Sequence, residues 1–165
     1  MGSNPTPSAM LDEQYMGLAL DEARDALTHD DVPVGAVVVH DGEVIAARHN
    51  ERELTGDPVA HAEILALRDA SARLGRWRLD ECTMYVTLEP CPMCAGALVN
   101  ARVGHLVYGA DDPKAGGVVS QFELLDGHRL NHRVDVTGGV RADESAELLR
   151  AFFRLRRRPA TDDPQ

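Results

Sequence analysis

The sequence predicts an α/β protein, a three-layer α/β/α sandwich whose central mixed five-stranded sheet carries helices on both faces. Three observations predict it. Strand and helix patterns alternate through the middle of the chain, which implies parallel strand pairing there. An Asp41-Gly42 pair between two β-rich runs marks an antiparallel hairpin. The length of 165 residues suits a single hydrophobic core.

Taken in order, residues 1–10 ("MGSNPTPSAM") are rich in Pro, Ser and Asn without periodicity, and read as a disordered leader. From Leu11 to Leu27, apolar residues at Leu11, Tyr15, Leu18, Ala19, Ala23 and Ala26 recur at helical steps. "VGAVVVHDGEVIAARHN" supplies the two strands of the hairpin. Asp57 followed by Pro58 predicts a helix start, since Asp caps well and proline's missing N–H costs nothing in a first turn. That helix is expected to run to Leu74 and to end at Gly75. "CTMYVTLE" reads as a strand, "PCPMCAGALVNA" as a helix opened by Pro92, and "VGHLVYGA" as a further strand. "DDPKAGG" is a loop, "RVDVTGG" a fifth strand and "DESAELLRAFFRLRRR" a closing helix. The expected organisation is one domain over 11–158 with a disordered tail at 159–165.

Composition narrows the function classes. The apolar fraction of 44% and charged fraction of 27% are those of an ordinary globular protein. No apolar run approaches the roughly 20 residues that cross a bilayer, and no secretory pattern opens the chain, so no membrane is expected and cytoplasm is the expected compartment. Three cysteines make a disulfide scaffold improbable on arithmetic alone. The net charge of −10 argues against indiscriminate polyanion binding. Charge is unevenly spread, however. Seven acids between Asp12 and Asp31 face the single base Arg24, whereas Arg150, Arg154, Arg156, Arg157 and Arg158 cluster near the end.

The chemistry is carried by "HAEIL" at His61 and "EPCPMC" at Glu89 to Cys94. Cys91 and Cys94, at i and i+3 on the first turn of a helix, can close on one ion, and the positive helix end favours the thiolate a metal requires. Adding His61 gives one imidazole and two thiolates, a donor set suited to zinc. Three protein ligands leave the fourth tetrahedral position for water, which separates a catalytic site from a closed structural one. Glu63 reaches the same pocket only if the helix bearing it aims its N-terminus at the metal, and that is the expectation. Glu63 is then the proton carrier of a hydrolytic deamination. Cys82 as a fourth ligand would close the site; its strand position reads instead as core.

The pairing of H-A-E with P-C-P-M-C is similar to the zinc-dependent nucleobase deaminase signature. With "VPVGAVVV", "DPVAHAEILALR", "MYVTLEPCPMCAGALVNARV", "YGADDPKAGG", "NHRV" and "FFRLRR", the chain resembles, from Leu11 to Arg158, the bacterial tRNA-specific adenosine deaminases of the zinc-dependent cytidine/deoxycytidylate deaminase superfamily. The resemblance implies a cytidine-deaminase-like fold, one zinc ion per subunit, a homodimer, and conversion of the wobble adenosine of an arginine tRNA to inosine. It also implies that Asn50 contacts the substrate nucleoside and that Asp112 and Lys114 lie beside the backbone of the tRNA anticodon stem-loop. Pro113 departs from the small flexible residue common there. In the tail, Phe153, Arg156 and Arg157 combine an aromatic with arginines suited to phosphate, and are expected to meet RNA. Two alternatives share the zinc signature: a deaminase of a free nucleobase or nucleotide such as guanine or cytosine, and a non-catalytic partner subunit. The latter is expected to lose the proton carrier, and Glu63 is present. The remaining histidines, including His49, His105 and His132, have no ligand-like spacing.

Overall fold

A computed structural model describes residues 4–156 of the chain. Helix α1 (Pro7–Ala26) begins four residues before the expected Leu11, because Thr6 caps it by accepting from the Ala9 N–H and Pro7 sits where no N–H is needed. Its buried stripe is Met16, Ala19, Leu20, Ala23 and Ala26, while Leu11 and Leu18 stay exposed. Strands β1 (Gly35–His40) and β2 (Glu43–His49) form the expected hairpin, with both turn residues, Asp41 and Gly42, at positive φ as a type I′ turn requires.

The next helix corrects its expected start. The turn α2 (Arg52–Thr55) intervenes, Asp57 spends its carboxylate on the Val59 N–H, and α3 (Ala62–Leu74) opens only after His61. Asp57-Pro58 is therefore a local turn rather than a helix cap. Gly75 ends α3 in the left-handed region as expected. Strand β3 (Cys82–Leu88) leads into α4 (Pro92–Asn100), and β4 (His105–Ala110), β5 (Asp135–Thr137) and α5 (Ala142–Arg156) complete the described chain. Residues 159–165 and Arg157 lie outside the described residues.

The sheet runs β2-β1-β3-β4-β5 and is mixed: β1 is antiparallel to β2 and β3, while β3, β4 and β5 are parallel. Helices α3 and α4 cover one face through Ala62, Ala66, Ala70, Ala95 and Leu98, packed on Val38, Met84, Val86 and Leu106. Helices α1 and α5 cover the other, where Met16, Leu20 and Leu148 meet Val37, Tyr85 and Val107. The buried Ser145 hydroxyl donates to the Thr87 carbonyl and pins α5 to β3.

Gly35 sets the spacing between α1 and the sheet. A Cβ there would lie 2.6 Å from the Ala23 backbone nitrogen, so a side chain must push the helix away. Gly35→Ala is expected to cost about 2 kcal/mol, read as a lower urea midpoint at unchanged slope.

Candidate active site

Helices α3 and α4 lie side by side on one sheet face and bring their N-termini to the same point beyond the carboxyl ends of β3 and β4, where ligands of parallel sheets bind. His61 is the residue that precedes the first turn of α3, and Cys91 holds the same position at α4, with Pro92 as first helical residue. Both ligand side chains thus stand on extended backbone immediately before a helix, and Cys94 follows in the first turn. His61 Nδ1 lies 3.7 Å from Cys91 Sγ and 3.5 Å from Cys94 Sγ. Bond lengths of 2.0–2.1 Å to nitrogen and 2.3 Å to sulfur at tetrahedral angles place N and S about 3.6 Å apart. The three donors therefore fit one zinc ion without rearrangement, and their atoms all lie within 4.8 Å of one another.

The protonation of the group agrees with that fit. A hydrogen bond from the Cys94 thiol, together with His61, holds Cys91 at about 4, well below an ordinary thiol. The same contact and burial push Cys94 up, so that the two sulfurs share one proton. The thiolate of Cys91 raises His61 in turn. A dication placed among these donors stabilises both thiolates and the neutral imidazole, with release of protons. Cys82, considered above as a fourth ligand, sits buried at the opposite end of β3, roughly 20 Å along the strand from the site.

Glu63 is 4% exposed and occupies the first turn of α3, beside the ligands as expected. Burial pushes its carboxyl up to about 7, against the pull of its own backbone N–H and of His61. A carboxyl balanced there exchanges protons at neutral pH. Asn50 precedes α2 and is buried; its Oδ1 accepts from the Ala62 N–H at 2.8 Å, which fixes the start of α3. Because that N–H must face an oxygen, the amide Nδ2 is the end left over, and it has no hydrogen-bond partner among the described residues.

These groups line a cleft of about 860 Å³ together with Arg52, Asp112, Lys114, Arg150, Phe153 and Arg154. Among the described residues Arg52 and Lys114 form no ion pair. In a chain of net charge −10, the cleft thus gathers four cations, although Asp111 and Asp112 share the lining and Glu147 pairs with Arg150 and Arg154. Phe153 is 51% exposed at this rim, whereas Phe152, its neighbour, is buried. Arg156 is turned elsewhere: its guanidinium pairs with Asp30 at 3.0 Å and lies over the Phe152 ring at 4.0 Å, beside an adjoining smaller hollow of about 420 Å³.

Glu89 was not singled out by the sequence patterns, yet it organises the rim. Its carboxylate, 1% exposed, accepts five hydrogen bonds: from the backbone N–H of Asp112, Val118, Val119 and Ser120, and from the Ser120 hydroxyl. Burial alone would raise this carboxyl; the Ser120 hydroxyl and the three N–H groups of Val119, Asp112 and Ser120 overcome it and hold Glu89 at about 2. Gly117 lets the same loop close on α4, since a Cβ there would lie 2.8 Å from the Pro92 nitrogen. The loop bearing Asp112 and Lys114 is thus tied to the residue two places before Cys91. An acid between the end of a strand and Pro-Cys is the sequence signal that marks it.

Comparison with known proteins places these features in a family. The description of the MafB19-like deaminase family matches residues 10–157. The chain is 50% identical over 143 residues to the tRNA-specific adenosine deaminase of Bacillus subtilis (strain 168), covering 87% of this chain and 89% of that one. It superposes with TM-score 0.80 and 48% identity on a solved structure from a study of A-to-I editing by tRNA:A34 deaminases at the wobble position of transfer RNA, covering 82% and 99% of the two chains. The guanine deaminase of Nitrosomonas europaea shares the fold at TM-score 0.73 and 26% identity, with 92% and 95% covered.

Proposed function

Starting from the fact that this chain belongs to the MafB19-like deaminases and, within them, stands with the tRNA-specific adenosine deaminases, we propose that its cleft converts adenosine to inosine at the wobble position of a tRNA, an arginine tRNA foremost. The observation that carries this reading is the convergence of His61, Cys91 and Cys94 on one point with the buried Glu63 beside them, inside a cleft whose rim carries Arg52, Lys114, Arg150 and Arg154. The three ligands are assigned one zinc ion per subunit. Zinc held there supplies a Lewis acid that lowers the pKa of water toward ~7.

Glu63 then does the proton work. As carboxylate it takes a proton from the attacking water, delivers it to N1 of the purine, and carries the second proton to the amino group. The C6–N bond breaks, ammonia leaves and the C6 oxygen remains as the inosine carbonyl. Asn50 orients the nucleoside through Nδ2 while its Oδ1 stays on the α3 backbone. Lys114 and the rim arginines meet phosphate, Asp112 shapes the loop beneath them, and Phe153 offers a face for an unstacked base. Arg156 and Arg157 are proposed to meet RNA as well, Arg156 only by leaving its pair with Asp30. A base in an anticodon loop is already partly unstacked, so extruding it costs less than from a duplex.

Asn50 can be tested apart from its structural bond. Asn50→Asp keeps an acceptor for the Ala62 N–H and removes the amide donor. A fall in kcat/KM on the order of 10²-fold is expected, with zinc content and folding retained; unchanged kcat/KM would remove Asn50 from the substrate site.

A homodimer is supported by the exposed apolar side chains Met93, Val119 and Phe122, which lie on α4's first turn and on the loop that closes against it. Among the described residues no helix is long and apolar enough to cross a membrane, and tRNA is a cytoplasmic substrate, which supports cytoplasmic placement.

A further inference from the structure

Away from the cleft ligands, two histidines meet that the sequence spacing keeps apart. His29 ends the short 3-10 turn Leu27–His29 after α1, and His49 ends β2 immediately before Asn50. His29 Nδ1 lies 2.7 Å from Asp31 Oδ2, and His49 Nδ1 lies 2.8 Å from Glu22 Oε1. The two Nε2 atoms face each other at 3.1 Å, with ring centroids 5.1 Å apart.

The carboxylates decide the tautomers. Each can only accept, so both Nδ1 atoms donate, and a neutral ring of that tautomer presents a lone pair at Nε2. Two lone pairs 3.1 Å apart repel unless a cation lies between them. That cation is a shared proton or a metal ion. Nitrogens at 2.0–2.1 Å from one ion and 3.1 Å from each other subtend about 98°, between octahedral and tetrahedral angles. The orienting carboxylates are also what metal-bound histidines ordinarily carry on their other nitrogen. Asp31 is itself held firmly, since it is buried and accepts the backbone N–H groups of Glu53 and Leu54.

The geometry points to a second metal site, distinct from the His61, Cys91 and Cys94 group, in which His29 and His49 bind a divalent transition ion of the zinc class through Nε2, with water completing its shell. Imidazole suits Zn²⁺ and Ni²⁺. The ion clips the turn after α1 to the end of β2, one residue before Asn50, and so braces the wall of the cleft. It does not take part in the deamination.

The test counts metal. The full chain, stripped with chelator, is titrated with Zn²⁺ alone, and bound zinc is measured after dialysis. Wild type is expected to hold two equivalents, His29→Gln and His49→Gln one each, and the Cys91→Ser/Cys94→Ser double variant one. The double variant is the check that does not depend on the histidine variants folding. One equivalent in wild type, or none in the cysteine variant, assigns the Nε2 contact to a shared proton and overturns the site. Two equivalents kept by both histidine variants overturn it as well.

Discussion

Glu63→Ala loses inosine formation by a factor on the order of 10³ to 10⁴ while the zinc ion held by His61, Cys91 and Cys94 is kept. The reason is positional. Of the two carboxyls buried beside the ligands, Glu89 is held ionised, whereas the balance of Glu63 near pH 7 lets a single group take a proton and return it within one turnover. The alanine removes the carrier and its contact with the Cys94 thiol but leaves all three metal donors, His61, Cys91 and Cys94, in the chain. Single-turnover rates on an anticodon stem-loop, paired with metal analysis of the same preparation, read both quantities. A variant that keeps wild-type turnover would show that the protons travel another way. A variant that loses zinc in step with activity would make Glu63 structural.

Glu89→Gln has the second large effect, on stability and RNA affinity together. Five donors converge on one carboxylate, and glutamine offers one oxygen and two further N–H groups in its place, so several buried donors lose their acceptor. The expected loss is roughly 2–4 kcal/mol at neutral pH. The loop bearing Asp112 and Lys114 is released from its tie to residue 89, two places before Cys91, which predicts a KM for the stem-loop about 10-fold higher with a smaller change in kcat. The pH dependence has a fixed sign. Because folding depresses this carboxyl to about 2, its contribution is complete above its ordinary value of 4.5 and is lost as pH falls from there through about 2. Wild type should therefore lose stability across that window more steeply than the glutamine variant. Parallel acid limbs and equal urea midpoints would show that the five bonds contribute nothing net.

Much of this was legible in the chain because the signals are local. The Asp41-Gly42 turn, the i, i+3 cysteines and Pro92 each act within a few residues, and the hairpin and α4 lie where those residues place them. The meeting of His61, Cys91 and Cys94 could be anticipated for a related reason: one imidazole and two thiols at this spacing are rare enough in combination to stand out without knowledge of contacts. Asp57-Pro58 misled because the same two residues serve a turn as well as a helix start, and the competing donor, the Val59 N–H, lies only two positions ahead. Glu89 and the His29 to His49 pair were illegible for the opposite reason. Their partners lie 20 to 31 positions away, and only the fold sets them side by side. The apparent conflict between an acidic chain and an RNA substrate belongs to the same class. Net charge sums over the whole surface, whereas Arg52, Lys114, Arg150 and Arg154 are gathered at one rim by three separate segments of the chain, α2, the loop after β4 and α5.

The guanine deaminase of Nitrosomonas europaea shares the fold, so the fold by itself does not separate deaminases of free bases from those of RNA. What separates them is the substrate that the rim admits. The decisive measurement is ammonia release and inosine content when the zinc-loaded full chain is given, in parallel, an arginine-tRNA anticodon stem-loop with adenosine at the wobble position, free guanine and free cytosine. Stoichiometric inosine in the stem-loop with no turnover of either base is the predicted result; turnover of a free base with no inosine in the RNA would contradict it.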